Sequence, residues 1–308
     1  MSQSLYDLVE QFTYDHISEL NFSFASIAQI DFNSSSYEAK SFYLADFQEI
    51  SNDLIYDLAS LTKPLTLGLA KLASPKLFDE KMNLLLHHRA GLPAFGALSK
   101  DSWKQHISSF TIKESETLYS DYSALRTMLE FNQKSEESLE KICEGFYPEL
   151  KFWLSLSLEE KEQCVITGER NRELIQGEVH DPNAFILKTF CSHAGLFGTI
   201  EGLAKSLLKL EKEFQMLKSV SEKIDPKQRF VEGFDRVTDT QQTLAGQGCS
   251  EKTFGHLGFT GTCFWIDSDK QIGWSLLTNA TENYWFERKF LNGLRRKIGQ
   301  AIWSGMSF

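Results

Sequence analysis

The chain has 308 residues, of which 42% are hydrophobic and 24% are charged. These proportions are typical of a folded globular protein and exclude a disordered, collagen-like or fibrous one. The 42 acidic residues outnumber the 32 lysines and arginines and give a formal net charge of -10. This charge argues against general nucleic-acid binding and against attraction to an anionic membrane. We therefore expect no nucleic-acid or membrane partner, and a neutral or small ligand instead.

The cysteines and the amino terminus predict a cytoplasmic protein. The five cysteines are odd in number and form no CxxC pair, which is typical of reduced thiols. The amino-terminal segment is acidic, and it lacks the basic start and the apolar run of a signal peptide. No apolar run elsewhere reaches the ~18 to 20 residues that cross a bilayer.

Runs of apolar and aromatic residues near both ends of the chain predict strands. Residues 22–31 and 41–46 form one candidate hairpin, whose strands are separated by a polar segment. Residues 262–266 and 272–277 form a second pair around a turn of Asp, Ser and Lys residues. A further strand is expected at residues 228–234.

Apolar residues at helical spacing predict an opening helix over residues 3–18 and a long closing helix over 284–303. The middle of the chain is mainly helical in pattern. We expect an α+β fold, in which one antiparallel sheet from both chain ends is flanked by helices and a mainly helical region is inserted. Residues 1–63 and 226–308 would form the sheet region, and residues 64–225 the helical region, of one interleaved catalytic unit.

Ser60 and Lys63 form an S-x-x-K pattern at a predicted loop-to-helix junction. A spacing of three places both side chains on one helical face. Because burial lowers the pKa of a lysine, its neutral amine could accept the serine proton, and the free N–H groups at the helix start suit an oxyanion. A second copy, Ser138 and Lys141, lies among glutamates and predicts a solvated surface helix.

Other polar residues are ambiguous when taken alone. Tyr119 lies between two helical stretches, where its hydroxyl could relay a proton or simply belong to a loop. His180, Asp181 and His193 could be imagined as zinc ligands, but they lack the spacing of the helical metal motif, and we expect no metal. The chain has neither a phosphate loop nor a dinucleotide fingerprint, so we expect no cofactor.

In order, these motifs resemble those of the serine β-lactamase and penicillin-binding-protein-like superfamily, in its class C and esterase-like branch. The resemblance covers about residues 50 to 280. Four segments carry it. Ser60-Leu-Thr-Lys63 is similar to the family's nucleophile motif, and His88-Arg-Ala-Gly-Leu-Pro93 is similar to its HxSGLP helix end. Tyr119-Ser-Asp121 is similar to its Y-x-N element, and Gly255-His-Leu-Gly-Phe259 to its H-T-G strand.

Two further segments narrow the resemblance. Residues 177–184 and 193–198 are similar to the GEVHDxxA and GHAGLFS signatures of members associated with muropeptide recycling, including N-acetylmuramoyl-L-alanine amidases. The resemblance therefore implies a muropeptide, or another small molecule, as the substrate.

The resemblance also implies a role for each matched residue. Ser60 would be the acylated nucleophile, Lys63 its base, and Tyr119 the proton donor to the leaving group. His256 would border the site from the sheet, and the backbone N–H groups of Ser60 and Phe259 would form the oxyanion hole. The substrate would be contacted by a further set: Asp121, His180, Asp181, His193 and Phe259.

The chain departs from the family pattern at three positions. Asp121 replaces the Asn of Y-x-N, Leu257 replaces the Thr of H-T-G, and Ser192 stands where the family often has Gly. An anionic Asp121 beside Lys63 would favour the charged amine and weaken it as a base. Leu257 removes a hydroxyl that could hold a substrate carboxylate.

These observations predict a serine hydrolase that works through an acyl-enzyme, with a muropeptide amide bond as the leading substrate. A carboxylesterase or a D-amino-acid peptidase of the same fold would use the same residues and differ in the pocket walls. A catalytically degenerate muropeptide-binding protein is the third alternative, which Asp121 and Leu257 make plausible.

Overall fold

The computed structural model describes residues 4–283 and 287–308. The strands within these ranges are β1 (Phe24–Asp31), β2 (Ser36–Tyr43), β3 (Gln48–Ile50), β4 (Tyr56–Asp57), β5 (Leu150–Phe152), β6 (Glu169–Arg170), β7 (Glu173–Leu174), β8 (Leu196–Gly198), β9 (Phe230–Val231), β10 (Phe234–Arg236), β11 (Thr253–Leu257), β12 (Cys263–Asp267) and β13 (Ile272–Thr278).

The α-helices within the same ranges are α1 (Leu5–Asp15), α2 (Leu69–Ala73), α3 (Glu80–Leu86), α4 (Trp103–Ser109), α5 (Asp121–Lys134), α6 (Leu139–Phe146), α7 (Leu158–Gln163), α8 (Pro182–Leu187), α9 (Ile200–Phe214), α10 (Met216–Ser221) and α11 (Lys289–Trp303). Short 3₁₀ turns lie at Ile17–Glu19, Ala59–Leu61, Pro75–Leu77 and Trp153–Ser155, and a π-helical turn lies at Pro64–Gly68.

The two ends of the chain build one large antiparallel sheet. Its strand order is β3-β2-β1-β13-β12-β11-β10-β9, so that β1 from the amino-terminal part pairs with β13 from the carboxyl-terminal part. The inserted region contributes a small sheet of order β4-β8-β5 and the two-stranded β6-β7. The α+β fold predicted from the sequence, with the antiparallel sheet flanked by helices, is confirmed.

Each face of the large sheet is covered by helices. Neighbouring residues of a strand point to opposite faces, and the apolar residues of the central strands divide accordingly. Ile27 and Trp274 pack in a core with apolar residues of α1 and α11, whereas Ala28 and Leu277 pack with the helices of the inserted region. The sheet is therefore buried on both faces, and the predicted site residues lie at the boundary between the sheet and the inserted region.

Two of the strand predictions are wrong in detail. The second strand of the first hairpin begins at Ser36, inside the segment predicted as a polar loop, because β2 is partly exposed near the sheet edge and tolerates polar residues. The single strand predicted over 228–234 is instead the hairpin of β9 and β10. Glu232 and Gly233 form its turn, both with positive φ.

The two predicted terminal helices are present, although residue 3 and residues 284–286 of the predicted ranges lie outside the described residues. The described part of the closing helix begins at Lys289. Within residues 4–283 and 287–308, no helix is both long enough and apolar enough to span a membrane.

Candidate active site

Ser60 lies on a tight turn directly after β4. Ala59, which precedes it, has a φ of +47°, a left-handed conformation that non-glycine residues adopt at a cost and often at functional turns. Pro64 begins the π-helical turn that follows Lys63, at a helix start where proline's missing N–H is harmless. The S-x-x-K pattern therefore lies at a helix entry, and Pro64 does not disrupt it.

The Lys63 side chain is buried and its ammonium group has three oxygen neighbours. Nζ lies 3.1 Å from Ser60 Oγ, 3.1 Å from the carbonyl oxygen of His193 and 2.7 Å from Asp121 Oδ1. Burial by itself lowers the pKa of Lys63, but the negative charge of Asp121 and the nearby Tyr119 outweigh it and raise that pKa above its usual value. Lys63 is therefore held as an ammonium ion.

Tyr119 covers the Lys63 ammonium. The ring centroid lies 4.8 Å from Nζ, and the buried hydroxyl has no hydrogen-bond partner among the described residues. Burial raises the pKa of the Tyr119 hydroxyl, whereas nearby Lys63 lowers it, and the net direction is upward. The hydroxyl thus stays protonated and is available to a bound molecule.

His256 lies on β11 on the sheet side of the site, and its ring centroid is 5.9 Å from that of Tyr119. Burial, helped by the charge of Lys63, lowers the pKa of His256 to about 3. Nδ1 lies 2.8 Å from the carbonyl oxygen of Leu257. Since a carbonyl only accepts, the neutral ring carries its proton on Nδ1 and leaves Nε2 as an acceptor.

Two cavities meet at Ser60. Their volumes are about 490 Å³ and about 480 Å³, and Ser60, Tyr119 and Phe259 line both. The first cavity, on the sheet side, is also lined by His256 and by cationic groups: Arg229, Arg288 and Arg295. The second cavity is also lined by Phe95 and by the predicted contact residues: Asp121, His180, Asp181 and His193. A substrate can therefore extend from Ser60 in two directions.

The arginines of the first cavity differ in their partners. Arg229 forms an ion pair of 2.7 Å with Asp235. Arg288 donates to the carbonyl oxygen of Phe259 at 2.7 Å, and burial together with the charge of Arg295 lowers the pKa of Arg288 to about 10. Among the described residues, neither Arg288 nor Arg295 has a carboxylate partner within 4.0 Å. The first cavity thus carries positive charge that suits an anionic ligand.

One wall of the second cavity contains a buried ion pair. His193 Nε2 lies 3.0 Å from Asp181 Oδ1, and the Asp181 carboxylate also accepts the N–H of Ala184 at the start of α8. Although burial opposes charge on both groups, their attraction raises the pKa of His193 to about 10 and lowers that of Asp181 to about 2.

His180 stands apart from this ion pair. Its Nδ1 lies 3.3 Å from Thr167 Oγ1, and burial with the charge of Arg170 lowers the pKa of its ring to about 4. Over residues 4–283 and 287–308, no group of three or more His, Cys, Asp or Glu side chains is arranged to hold a metal ion.

Two residues near the site received no role from the sequence. The buried Asp57 carboxylate accepts the backbone N–H groups of Ala59 and His180, and burial raises its pKa to about 7. His88 has a φ of +57°, its Nδ1 accepts the N–H of Ser120, and its ring lies 4.8 Å from that of Tyr119. Asp57 precedes Ser60 by three positions in the sequence, but no nearby residue of the sequence indicates its hydrogen bond to the distant His180.

The second S-x-x-K copy lies away from the site. Ser138 caps the start of α6, where its Oγ accepts the N–H of Lys141, and Lys141 is exposed. The two copies therefore differ in their surroundings as the sequence predicted.

The comparisons with known proteins agree with this geometry. Residues 152–294 match the family model described as beta-lactamase. The chain is 30% identical over 119 residues to the N-acetylmuramyl-L-alanine amidase of Bacillus subtilis (strain 168), a match that includes 34% of this chain and 26% of that protein. The chain thus spans about a quarter of that relative's length.

Solved structures agree over nearly the whole chain. A class C β-lactamase superposes with a TM-score of 0.67 at 13% identity, over 96% of this chain and 97% of its own. EstCE1, a hydrolase with promiscuous acyltransferase activity, superposes with a TM-score of 0.67 at 14% identity, over 96% of this chain and 99% of its own. The predicted resemblance to β-lactamases is confirmed by the family model over residues 152–294 and by the fold of the solved structures. The roles assigned to Ser60, Lys63, Tyr119 and His256 stay predictions.

Proposed function

We propose that this protein is a serine amidase that cleaves the bond between N-acetylmuramic acid and L-alanine in muropeptides. The observation that carries the proposal is the position of Ser60, whose Oγ lies 3.1 Å from Lys63 Nζ where the two cavities meet. The Bacillus subtilis amidase, which matches a third of the chain, supports the choice of bond. A cytoplasmic role in peptidoglycan recycling would suit the five free cysteines.

The reaction passes through an acyl-enzyme. Ser60 Oγ attacks the lactyl carbonyl carbon, and the resulting oxyanion is stabilised by the N–H groups of Ser60 and Phe259. Tyr119 donates its hydroxyl proton to the leaving nitrogen as the C–N bond breaks. Water then hydrolyses the ester on Ser60 and releases the muramoyl acid.

The two cavities differ in a way that suits the two halves of this substrate. Phe95, which is 77% exposed and lines only the second of the two cavities, adds to the aromatic surface of Phe259 there, and this surface suits a sugar ring. The positive charge of Arg288 and Arg295 in the first cavity suits the carboxylates of the departing peptide, or of L-alanine itself in the shortest substrate. The muramoyl group therefore occupies the second cavity and the amine the first.

A binding protein without turnover is the second candidate. One observation favours it, because an ammonium form of Lys63, paired with Asp121 at 2.7 Å, has no lone pair to offer Ser60. An esterase or a D-amino-acid peptidase would retain the acyl-enzyme and differ in the substrate that is turned over.

The test is release of L-alanine from N-acetylmuramoyl-L-alanine, measured beside hydrolysis of a nitrophenyl ester and of a D-amino-acid peptide. Ser60→Ala should lower amide turnover by several powers of ten. Ser138→Ala, in the second S-x-x-K copy, is the matched control and should retain turnover. Equal turnover in Ser60→Ala and wild type would refute the proposal. Binding of the muropeptide without turnover, and without labelling by a fluorophosphonate, would identify a binding protein.

A further inference from the structure

The surroundings of Lys63 raise the question of how Ser60 loses its proton. An ammonium group has three N–H donors, and Lys63 Nζ has three oxygen neighbours: Asp121 Oδ1, the His193 carbonyl oxygen and Ser60 Oγ. With every donor directed to an oxygen, Nζ has no lone pair facing Ser60. Lys63 must therefore release one proton before, or while, it accepts the proton of Ser60.

Only one of these neighbours can take the proton that Lys63 releases. The His193 carbonyl is not basic, and Ser60 is the group that must itself be deprotonated. Asp121 remains, and its carboxylate lies closest to Nζ, at 2.7 Å. Asp121 is the first residue of α5, and its backbone N–H donates to the carbonyl oxygen of Ala94 at 2.7 Å, which fixes the residue beside Lys63.

We propose that Asp121 accepts the proton that Lys63 releases during attack, so that Ser60, Lys63 and Asp121 form a proton relay. This inference rests on the proposed function, since it concerns the same nucleophile. As the bond between Ser60 Oγ and the substrate carbon forms, the hydroxyl proton moves to Lys63 Nζ and an Nζ proton moves to Asp121 Oδ1. The carbonyl electron pair becomes the oxyanion. When the oxyanion collapses, the amine departs with the Tyr119 proton, and the proton on Asp121 returns through Lys63 to Tyr119.

The other ionisable groups around the relay do not provide an alternative acceptor. Among the described residues, the rings of His88 and His256 make no hydrogen bond to Lys63 Nζ, whose partners are Ser60, the His193 carbonyl and Asp121. Tyr119 is protonated, because burial raises its pKa. The Asp181 carboxylate is paired with His193 at 3.0 Å and makes no ion pair with Lys63. The carboxylate in direct contact with Lys63 is therefore that of Asp121.

The test measures the rate at which a fluorophosphonate labels Ser60, by intact mass, from about pH 6 to about pH 10. Fluoride leaves without protonation, so the rate isolates the activation of Ser60. Asp121→Asn keeps the shape of the side chain and an oxygen for Lys63 but cannot accept a proton. Asp121→Glu retains a carboxylate, and Glu130→Gln on the same helix is the control, because it removes an equal charge away from the site.

In the relay, no proton has to leave for bulk solvent, so labelling of the wild type and of Glu130→Gln should be nearly independent of pH. Asp121→Asn should label about a hundredfold more slowly at pH 7, and its rate should rise about tenfold per pH unit as Lys63 deprotonates. Asp121→Glu should restore the flat profile.

Two results would overturn the relay. Asp121→Asn could label as fast as wild type or faster at pH 7, or the wild-type rate itself could rise tenfold per pH unit. In either case Asp121 would only hold Lys63 in its charged form. Labelling of wild type that is absent, or that persists in Ser60→Ala, would instead overturn the proposed function, and the relay with it.

Discussion

The carboxylate of Asp57 accepts a hydrogen bond of 2.7 Å from the backbone N–H of His180, 123 residues further along the chain. Its other oxygen accepts the N–H of Ala59, which precedes Ser60, at 2.8 Å. The backbone carbonyl of Asp57 also accepts the hydroxyl of Thr260, in the loop that carries Phe259. One buried residue therefore connects the turn that carries Ser60 with a loop from each cavity.

Asp57→Asn should lower the rate of Ser60 labelling by at least about tenfold, because an amide group has only one acceptor oxygen for two N–H donors. A buried donor left without a partner costs about 1 to 3 kcal/mol, so the urea midpoint of unfolding should also fall. Asp46→Asn, at an exposed position, is the control and should change neither quantity. Unchanged labelling in Asp57→Asn would show that Asp57 does not position the nucleophile.

The His193 and Asp181 ion pair predicts a pH dependence of stability. The pKa of His193 is raised to about 10, so its contribution is complete below the unfolded value near 6.5 and is lost as the pH rises towards 10. The pKa of Asp181 is lowered to about 2, so its contribution is present above about 4 and is lost as the pH falls towards 2. The pair should therefore stabilise the fold most between about pH 4 and 6.5.

Urea unfolding of wild type and His193→Gln measures this contribution. The difference in unfolding free energy should be largest near pH 5.5 and should shrink by pH 9.5, whereas the loss of packing contributes equally at both. His106→Gln, an exposed histidine on α4, should show no such change. A difference that is constant with pH would contradict the charged pair.

Tyr119 and His256 should respond differently to the leaving group. If Tyr119 protonates the departing amine, Tyr119→Phe should slow hydrolysis of the muramoyl amide much more than that of a nitrophenyl ester, whose leaving group needs little protonation. His256→Ala should slow both substrates by similar factors, because the ring lines the cavity and acts through placement. Kinetics of both variants on both substrates give two ratios, and equal ratios would reject this division of roles.

Gly258 should be required by the loop that carries Phe259. Its N–H donates to the Thr262 carbonyl at 2.7 Å, and an added Cβ would lie 2.8 Å from the Leu58 carbonyl oxygen and would overlap the Thr262 hydroxyl. Gly258→Ala should displace the N–H of Phe259 and lower kcat by about a hundredfold, the usual effect of losing an oxyanion donor.

Gly145→Ala is the matched control for Gly258→Ala. Gly145 lies in α6 with open space around its Cα, so alanine there should raise stability by about 1 kcal/mol and leave kcat unchanged. A normal kcat in Gly258→Ala would show that this loop does not contribute to an oxyanion hole.

The sequence alone identified the parts of the site that depend on local spacing. Ser60 and Lys63 are three residues apart at a helix entry, so their contact of 3.1 Å follows from local geometry. The strand patterns at both chain ends likewise predicted the large sheet. The strand bounds predicted from these patterns were wrong at two places where the local signal is weak. The sequence of the partly exposed β2 resembles that of a polar loop, and the sequence around the turn at Gly233 resembles that of a continuous strand.

The tertiary structure decided the charges and the shape of the site. Local sequence places Lys63 beside Ser60, but only the packing of α5 brings Asp121 within 2.7 Å and outweighs the effect of burial on the lysine pKa. The link from Asp57 to His180 and the meeting of two cavities at Ser60 likewise join segments distant in the chain. Spacing along a chain specifies neighbours within a turn of helix, whereas burial and electrostatic balance depend on which distant segments exclude water from the same point.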